Sequence, residues 1–394
     1  MATKIGIGFS EHPHPETAAK DAGFLSKTQL DEDKIDFSIV LSTTHYSPQK
    51  TLPILTNILN SSKLVGASTA GIILSDTVKT RGIAVITISS SEFDFGIGSV
   101  HGLKHQDSFQ AGSHLAKNTL NNFSPRGRQG FLFFADPNIL NYTQFLKGIQ
   151  SIFGNILPII GAGCSDNFRF QETFQLYQNE IFNNSAVGII LGGHMSIGLG
   201  SRHGWRPLGK PRFVDESDNN VIKTIDGKKA SFIYKEFFSH EADEFLSNRL
   251  STLSLLYPLG VYVEGSQEYL LKNTSILPDG SLTSQGNVPV GSRIHVMIGN
   301  KDSCRQAAYE AALEAQKNLM DKEPKLLLII ESMTRLKLLS RNAAHEIRKI
   351  KEVFGSSTPI IGMYSNGEVS PFQTIDRFKS PLLQNESIIV TALG

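Results

Sequence analysis

Apolar positions along this chain follow two rhythms. Short runs such as KIGIGFS (4–10), DFSIVLSTT (36–44) and RGIAVITISS (81–90) alternate or are wholly apolar, which predicts strands. Between them, ETAAKDAGFLSKTQL (16–30) and SPQKTLPILTNILNSS (47–62) place apolar residues three and four apart, which predicts helices. Pro15 suits the first turn of the first of these. The order strand, helix, strand, helix, strand, returning strand then recurs twice. GSHLAKNTLNNF, GFLFFADP, NYTQFLKGIQSIFG, IIGAGCSDN and SAVGIILGG carry one copy. RIHVMIGN, SCRQAAYEAALEAQKNLM, KLLLIIESM, RNAAHEIRKIKEVFG, IIGMYSNGE and ESIIVTALG carry the other.

Residues 200–300 break the rhythm. Short strand patterns, turn pairs such as Asp279-Gly280 and one helical stretch from about Ala230 to Leu250 predict a β-rich insertion. The expected fold is therefore α/β. Two domains, 1–199 and 200–394, are built from repeated strand-helix-strand-helix-strand-strand units with mixed sheets, and the second carries the insertion.

One local pattern recurs with the units. LVGASTAG (64–71), IIGAGCSDN (159–167) and IIGMYSNGE (360–368) each run an apolar pair into glycine and then into small polar residues. Loops beyond the carboxyl ends of strands are where α/β sheets bind ligands. Duplication of a tight turn accounts for the same pattern without a ligand. Candidate ligand contacts are Ser68, Thr69 and Gly71 in the first loop, and Cys164, Ser165, Asp166 and Asn167 in the second. The third contributes Tyr364, Ser365, Asn366 and Glu368, whose phenol, amide and carboxylate suit a small polar molecule. Arg335, just past a predicted strand, is expected near the same rim, where its fork would match a carboxylate. The plainer alternatives are a buried inert thiol for Cys164, turn stabilisation for Asp166, local backbone bonds for Glu368 and a surface ion pair for Arg335.

Composition narrows the classes. The chain has 394 residues, 40% hydrophobic and 19% charged, with net charge +1, so neither nucleic acid nor an anionic membrane is an expected partner. Two cysteines, Cys164 and Cys304, with no CxxC argue against a disulfide framework or structural zinc. No signal peptide or membrane span is apparent, and a cytoplasmic location is expected. No histidine–carboxylate cluster has metal-ligand spacing, and no cofactor is expected. Gly204–Pro211 approaches a phosphate loop, but Pro211 stands where the magnesium-binding hydroxyl should be. Gly6/Gly8, Gly96/Gly98 and Gly198/Gly200 read as strand and turn glycines rather than a dinucleotide fingerprint. Ser68 misses the nucleophile-elbow spacing by one residue.

VGASTAG, IIGAGCSDN, GWRPLGKPRFV…NNVIKTIDGKKASFIYKEFF, ESMTR and IIGMYSNGEVSP, in that order, resemble the FIST family, with a FIST N-like first half and a FIST C-like second half. Three positions depart from its pattern. Ala67 and Ser332 stand where cysteine is usual, and Ile72 where glutamate is. The resemblance implies a sensory, signal-transducing protein that binds a small ligand such as an amino acid. Family relatives are joined to output domains or, in eukaryotes, to F-boxes. Predicted elements run from residue 4 to near 393, so a separate signalling partner is expected. Two other functions compete with this one: a metabolite enzyme using Cys164 or Glu368, and a protein-recognition module like the F-box-linked relatives.

Overall fold

The computed structural model describes residues 3–31, 34–124, 127–137, 141–238, 255–264, 268–371 and 380–394. Three of its sheets hold six strands each and repeat one design. In the first unit, Lys4–Ser10 runs antiparallel to Ile83–Ser89, which runs antiparallel to Phe37–Thr43, which runs parallel to Leu64–Thr69. The second unit repeats this with Phe93–His101, Ser185–Gly193, Arg128–Ala135 and Ile159–Gly163. The third does so with Ile197–Arg202, Ile388–Leu393, Leu326–Ser332 and Ile360–Ser365.

After its third strand each unit forms a hairpin that joins a neighbour's sheet. Ile72–Leu74 of the first unit pairs with Ile360–Ser365 of the third. Gln175–Tyr177 of the second pairs with Leu64–Thr69 of the first, and Glu368–Pro371 of the third pairs with Ile159–Gly163 of the second. The exchange is cyclic, so two of the three sheets contain strands from both halves of the chain.

Side-chain alternation sets the layers. Inner faces of the three sheets meet in one central core that includes Phe95, Leu132, Phe134, Ile330 and Met363. Phe37 of the first unit stacks on Phe95 of the second, ring centroids 4.4 Å apart. Outer faces carry the helices: Pro15–Thr28 and Pro48–Leu59, then Ser108–Asn121 and Tyr142–Phe153, then Lys301–Leu319 and Ala344–Phe354. Side-chain caps from Asp107, Asn141 and Asn300 start three of these helices.

The glycine pairs of the first strands explain how those helices seat. A Cβ on Gly8 would lie 1.9 Å from the Ala22 carbonyl oxygen, and one on Gly200 2.0 Å from that of Ala311. One on Gly98 would lie 2.4 Å from the Thr119 nitrogen. Helix backbone therefore rests directly on strand backbone in every unit, which only glycine permits.

The β-rich insertion, strands between Arg206 and Ile298, separates the third unit's first strand from its first helix. It has its own core around Val214, Ile222, Tyr234, Leu259 and Ile294. Of the helix expected at Ala230–Leu250, Phe232–Phe238 is helical, and residues 239–250 lie outside the described residues. The stretch after Gly204 is the strand Arg206–Asp218, so it offers no helix N-terminus to a phosphate. The strand expected at KLLLIIESM ends at Ser332, and Met333–Leu339 beyond it is a short helix capped by the Ser332 hydroxyl.

Candidate functional site

The three glycine-bounded loops meet. Each follows its unit's third strand, and the exchanged hairpin then carries the chain into a neighbouring unit's sheet. Ala70 N–H donates to Ser165 Oγ at 2.7 Å, and Ser165 Oγ donates to the Tyr364 carbonyl at 2.6 Å. Ser165 N–H donates to the Ser68 carbonyl at 3.2 Å. Asn366 N–H donates to the Gly163 carbonyl at 2.9 Å, while Gly163 N–H donates to that of Gly367 at 2.8 Å. Tyr364 N–H lies 3.0 Å from Thr69 Oγ1 and 3.1 Å from the Gly71 carbonyl. A Cβ on Gly163 would sit 2.1 Å from the Asn366 carbonyl oxygen. Ser68, Thr69, Ser165, Tyr364 and Ser365 are all buried. Much of this hub's polar capacity is thus spent between the loops themselves, as buried backbone requires.

Asp166 stabilises its own loop. Its carboxylate accepts from the N–H groups of Phe170, Gln171 and Glu172 at 2.8, 2.7 and 3.0 Å. Asn167 adopts a left-handed backbone, φ +56°, with its amide 3.3 Å from the His45 ring. Cys164 belongs to the central core, and burial pushes its thiol up to about 12. Cys304 is also buried and pushed up to about 12. Neither thiolate forms at neutral pH. A disulfide reagent should therefore label no thiol quickly in the native protein and both of the chain's two cysteines after unfolding. Rapid native labelling would contradict this burial.

Arg335 lies away from any rim. It occupies the first turn of Met333–Leu339 and is completely buried. Nε meets Glu331 at 3.3 Å, Nη1 donates to the Glu386 carbonyl at 3.1 Å, and Nη2 donates to the Cys304 carbonyl at 3.0 Å. Further bonds reach the His203 carbonyl and the Glu346 carboxylate. Glu331 and Glu346 converge on this one guanidinium. Burial, then the neighbouring Glu346, holds the Glu331 carboxyl well above the usual range.

Two more buried carboxyls continue the cluster. Glu386 accepts from Ser332 Oγ at 3.1 Å, and burial raises it to about 7. Glu368 accepts from Ser365 Oγ at 2.7 Å and from Ser387 N–H at 3.2 Å. Burial raises it to about 8, against the bonds from Ser365 and Ser387. Nearby, burial lowers Lys272 to about 8, and its Nζ donates to the Leu383 carbonyl at 3.1 Å. Asn366 is tied to the insertion by Gln285 Nε2 at 3.3 Å, and Asn385 links Gln285 to the Asn273 N–H.

These values fix a pH effect. Folding raises the Glu368 pKa from 4.5 to about 8, so its contribution to stability is complete below 4.5 and is lost as pH rises through 8. Lys272, lowered from 10.5 to about 8, adds a dependence of opposite sign only above about 8. Between pH ~5 and ~8, Glu368→Gln should therefore flatten the decline of melting temperature seen in the parent. Parallel slopes would mean that Glu368 is not buried in this way.

Sequence reasoning missed Glu331, Glu346, Glu386 and Lys272. One signal was available: Glu331 follows the apolar run Leu326–Ile330 in the same strand and stands four residues before Arg335. Nothing local marks the other three. Among the described residues, no group of three His, Cys, Asp or Glu side chains could hold a metal ion, and no helix is long and apolar enough to cross a membrane.

The FIST N domain model matches residues 36–228, and the FIST C domain model matches residues 230–371. The chain belongs to the FIST family, whose domains are sensory domains of signal transduction. Over 112 residues it is 31% identical to an uncharacterised protein of Methanocaldococcus jannaschii, a match spanning 28% of this chain and 21% of that protein. Among solved structures it is similar to cyanuric acid hydrolase from A. caulinodans, with TM-score 0.37 and 8% identity over 100% of this chain and 99% of that one. Phosphoribosylformylglycinamidine synthase II from Thermotoga maritima gives TM-score 0.25 and 8% identity, covering 100% and 72%.

Proposed function

We propose that the protein is a cytoplasmic sensor whose response to a small polar ligand, an amino acid being the first candidate, passes through the three-loop hub to a separate signalling protein. One observation carries the reading. The third loop is bonded to the first and second loops on one side, and through Asn366 and Gln285 to the insertion on the other. A ligand that favours one placement of the insertion therefore biases Tyr364, Ser365 and Asn366, and with them Ser68, Thr69, Gly71 and Ser165. Cys164, Asp166 and Asn167 follow in the second loop, Glu368 anchors the third through Ser365, and Arg335 holds the His203 carbonyl at the entry to the insertion. Differential affinity for two such placements is what a switch requires.

Thermal unfolding against an amino-acid and metabolite panel tests this. A ligand at ~100 times its Kd adds about 2.7 kcal/mol. At roughly 2–4 °C per kcal/mol that is a rise of several degrees. A flat panel would defeat the sensor reading. The enzymatic alternative rests on Glu368, whose carboxyl is held near neutral as a general acid needs to be. Metabolite turnover lost in Glu368→Gln would favour it.

A further inference from the structure

A cleft of about 340 Å³ opens at the seam between the third unit and the insertion. Its walls come from different elements. Arg202 ends the unit's first strand, Gln306 and Glu310 lie on its first helix, and Gln384 lies on the exchanged hairpin. Tyr269 belongs to the insertion, and Trp205 to the connection between the two.

The walls are fixed before anything binds. Ser201 Oγ donates to Gln384 Oε1 at 3.2 Å, and Gln384 Nε2 donates to Ser370 Oγ at 2.8 Å. Trp205 Nε1 donates to the Leu256 carbonyl at 3.1 Å, and Trp205 N–H donates to His203 Nδ1 at 2.9 Å. Burial and the nearby Arg335 lower His203 to about 4, so its ring adds no charge at neutral pH. The His203 carbonyl is one of the groups held by Arg335, which connects this wall to the buried carboxyl cluster.

Arg202 differs from its surroundings. Its Nη1 donates to Glu314 Oε2 at 2.6 Å and to the Ser201 carbonyl at 2.7 Å. Both bonds use the same nitrogen, so the guanidinium plane is pinned while Nη2 and Nε have no partner among the described residues. Its side chain is 27% exposed and that of Glu314 only 4%, so solutes reach the cation but not its counter-ion. A pinned guanidinium with spare donors in a concave site is built for a carboxylate. Besides Arg202 the lining carries Arg206, Glu268 and Glu310, a net negative balance that opposes a second negative charge, and Tyr269 offers an apolar face.

We infer that this cleft is a binding site for a small organic monocarboxylate, with Arg202 taking the carboxylate and Tyr269 packing against the rest. The site deepens the sensor reading and rests on it, because a ligand spanning Arg202 and Tyr269 joins the α/β body to the insertion.

Melting temperatures of the full chain with acetate, lactate, benzoate and succinate provide the test. A monocarboxylate should raise the melting temperature more than succinate does. Its affinity should fall about tenfold or more in Arg202→Gln, as loss of a charged hydrogen bond implies. Arg202→Gln also breaks the Glu314 pair, so Gln306→Trp, which fills the cleft and leaves that pair intact, should abolish the effect independently. A shift that survives both variants would overturn the site and leave the sensor reading standing. If none of the four acids shifts the parent, the site is overturned. A wider metabolite panel then decides the sensor reading separately.

Discussion

Arg335→Met is expected to destabilise the protein by about 3–5 kcal/mol, the usual cost of removing one partner from a buried ion cluster. At roughly 2–4 °C per kcal/mol the melting temperature should fall on the order of 10 °C. The volumes of the two side chains are similar, so the loss is one of charge and donors more than of packing. Glu346 would keep a buried charge without its counter-ion. The carbonyls of His203, Glu386 and Cys304 would each lose a donor in a place water does not reach. Those carbonyls belong to the entry into the insertion, the turn before the last strand and the start of the helix Lys301–Leu319. The substitution should therefore loosen the same seam that forms the cleft. Adding Glu346→Gln removes the stranded charge and should recover part of the loss. If Arg335→Met alone shifts stability by less than about 1 kcal/mol, the cluster is not closed as described.

Gly200→Ala is expected to be at least as damaging, at or above the ~3 kcal/mol upper range for overpacking. The new methyl group would stand 2.0 Å from the Ala311 oxygen and 2.9 Å from the Ala315 nitrogen. These are backbone atoms of the helix Lys301–Leu319, so no side chain can rotate aside. The helix must move off the strand by more than an ångström, opening the packed alanines at 308, 311, 312 and 315. Gly8→Ala should behave alike, because the Ala22 oxygen lies 1.9 Å from its added Cβ. Gly127→Ala is the control, since its nearest neighbour would lie 3.8 Å away. Soluble expression and melting temperature for the three variants decide it. Equal behaviour of Gly200→Ala and Gly127→Ala would mean that the helices are not seated backbone to backbone.

Both experiments probe features that the order of elements does not reveal. The three glycine pairs are visible in the chain as GxG, a pattern that also occurs at Gly161/Gly163 and that by itself predicts only strand and turn glycines. Their equivalent place in the three units is the stronger observation, because it shows the repeat before any loop is considered. The three small polar loops also share a place in their units. Their mutual bonding, however, depends on where the hairpins go.

The chain alone determined the elements, their threefold order and the break at the insertion. Those follow from local periodicity and from glycine and proline punctuation, which act over a few residues. The FIST resemblance was legible for the same reason, because its motifs are contiguous. Tertiary structure alone decided that the hairpins exchange between units, bringing Ile72 to Met363 and Glu368 to Ala162. It also decided that Arg335 lies in the interior among Glu331, Glu346 and Glu386 rather than at a rim. Strand pairing across such separations carries no periodic signature. Whether an arginine at the end of a strand faces solvent or a buried carboxylate depends on which distant segments close over it.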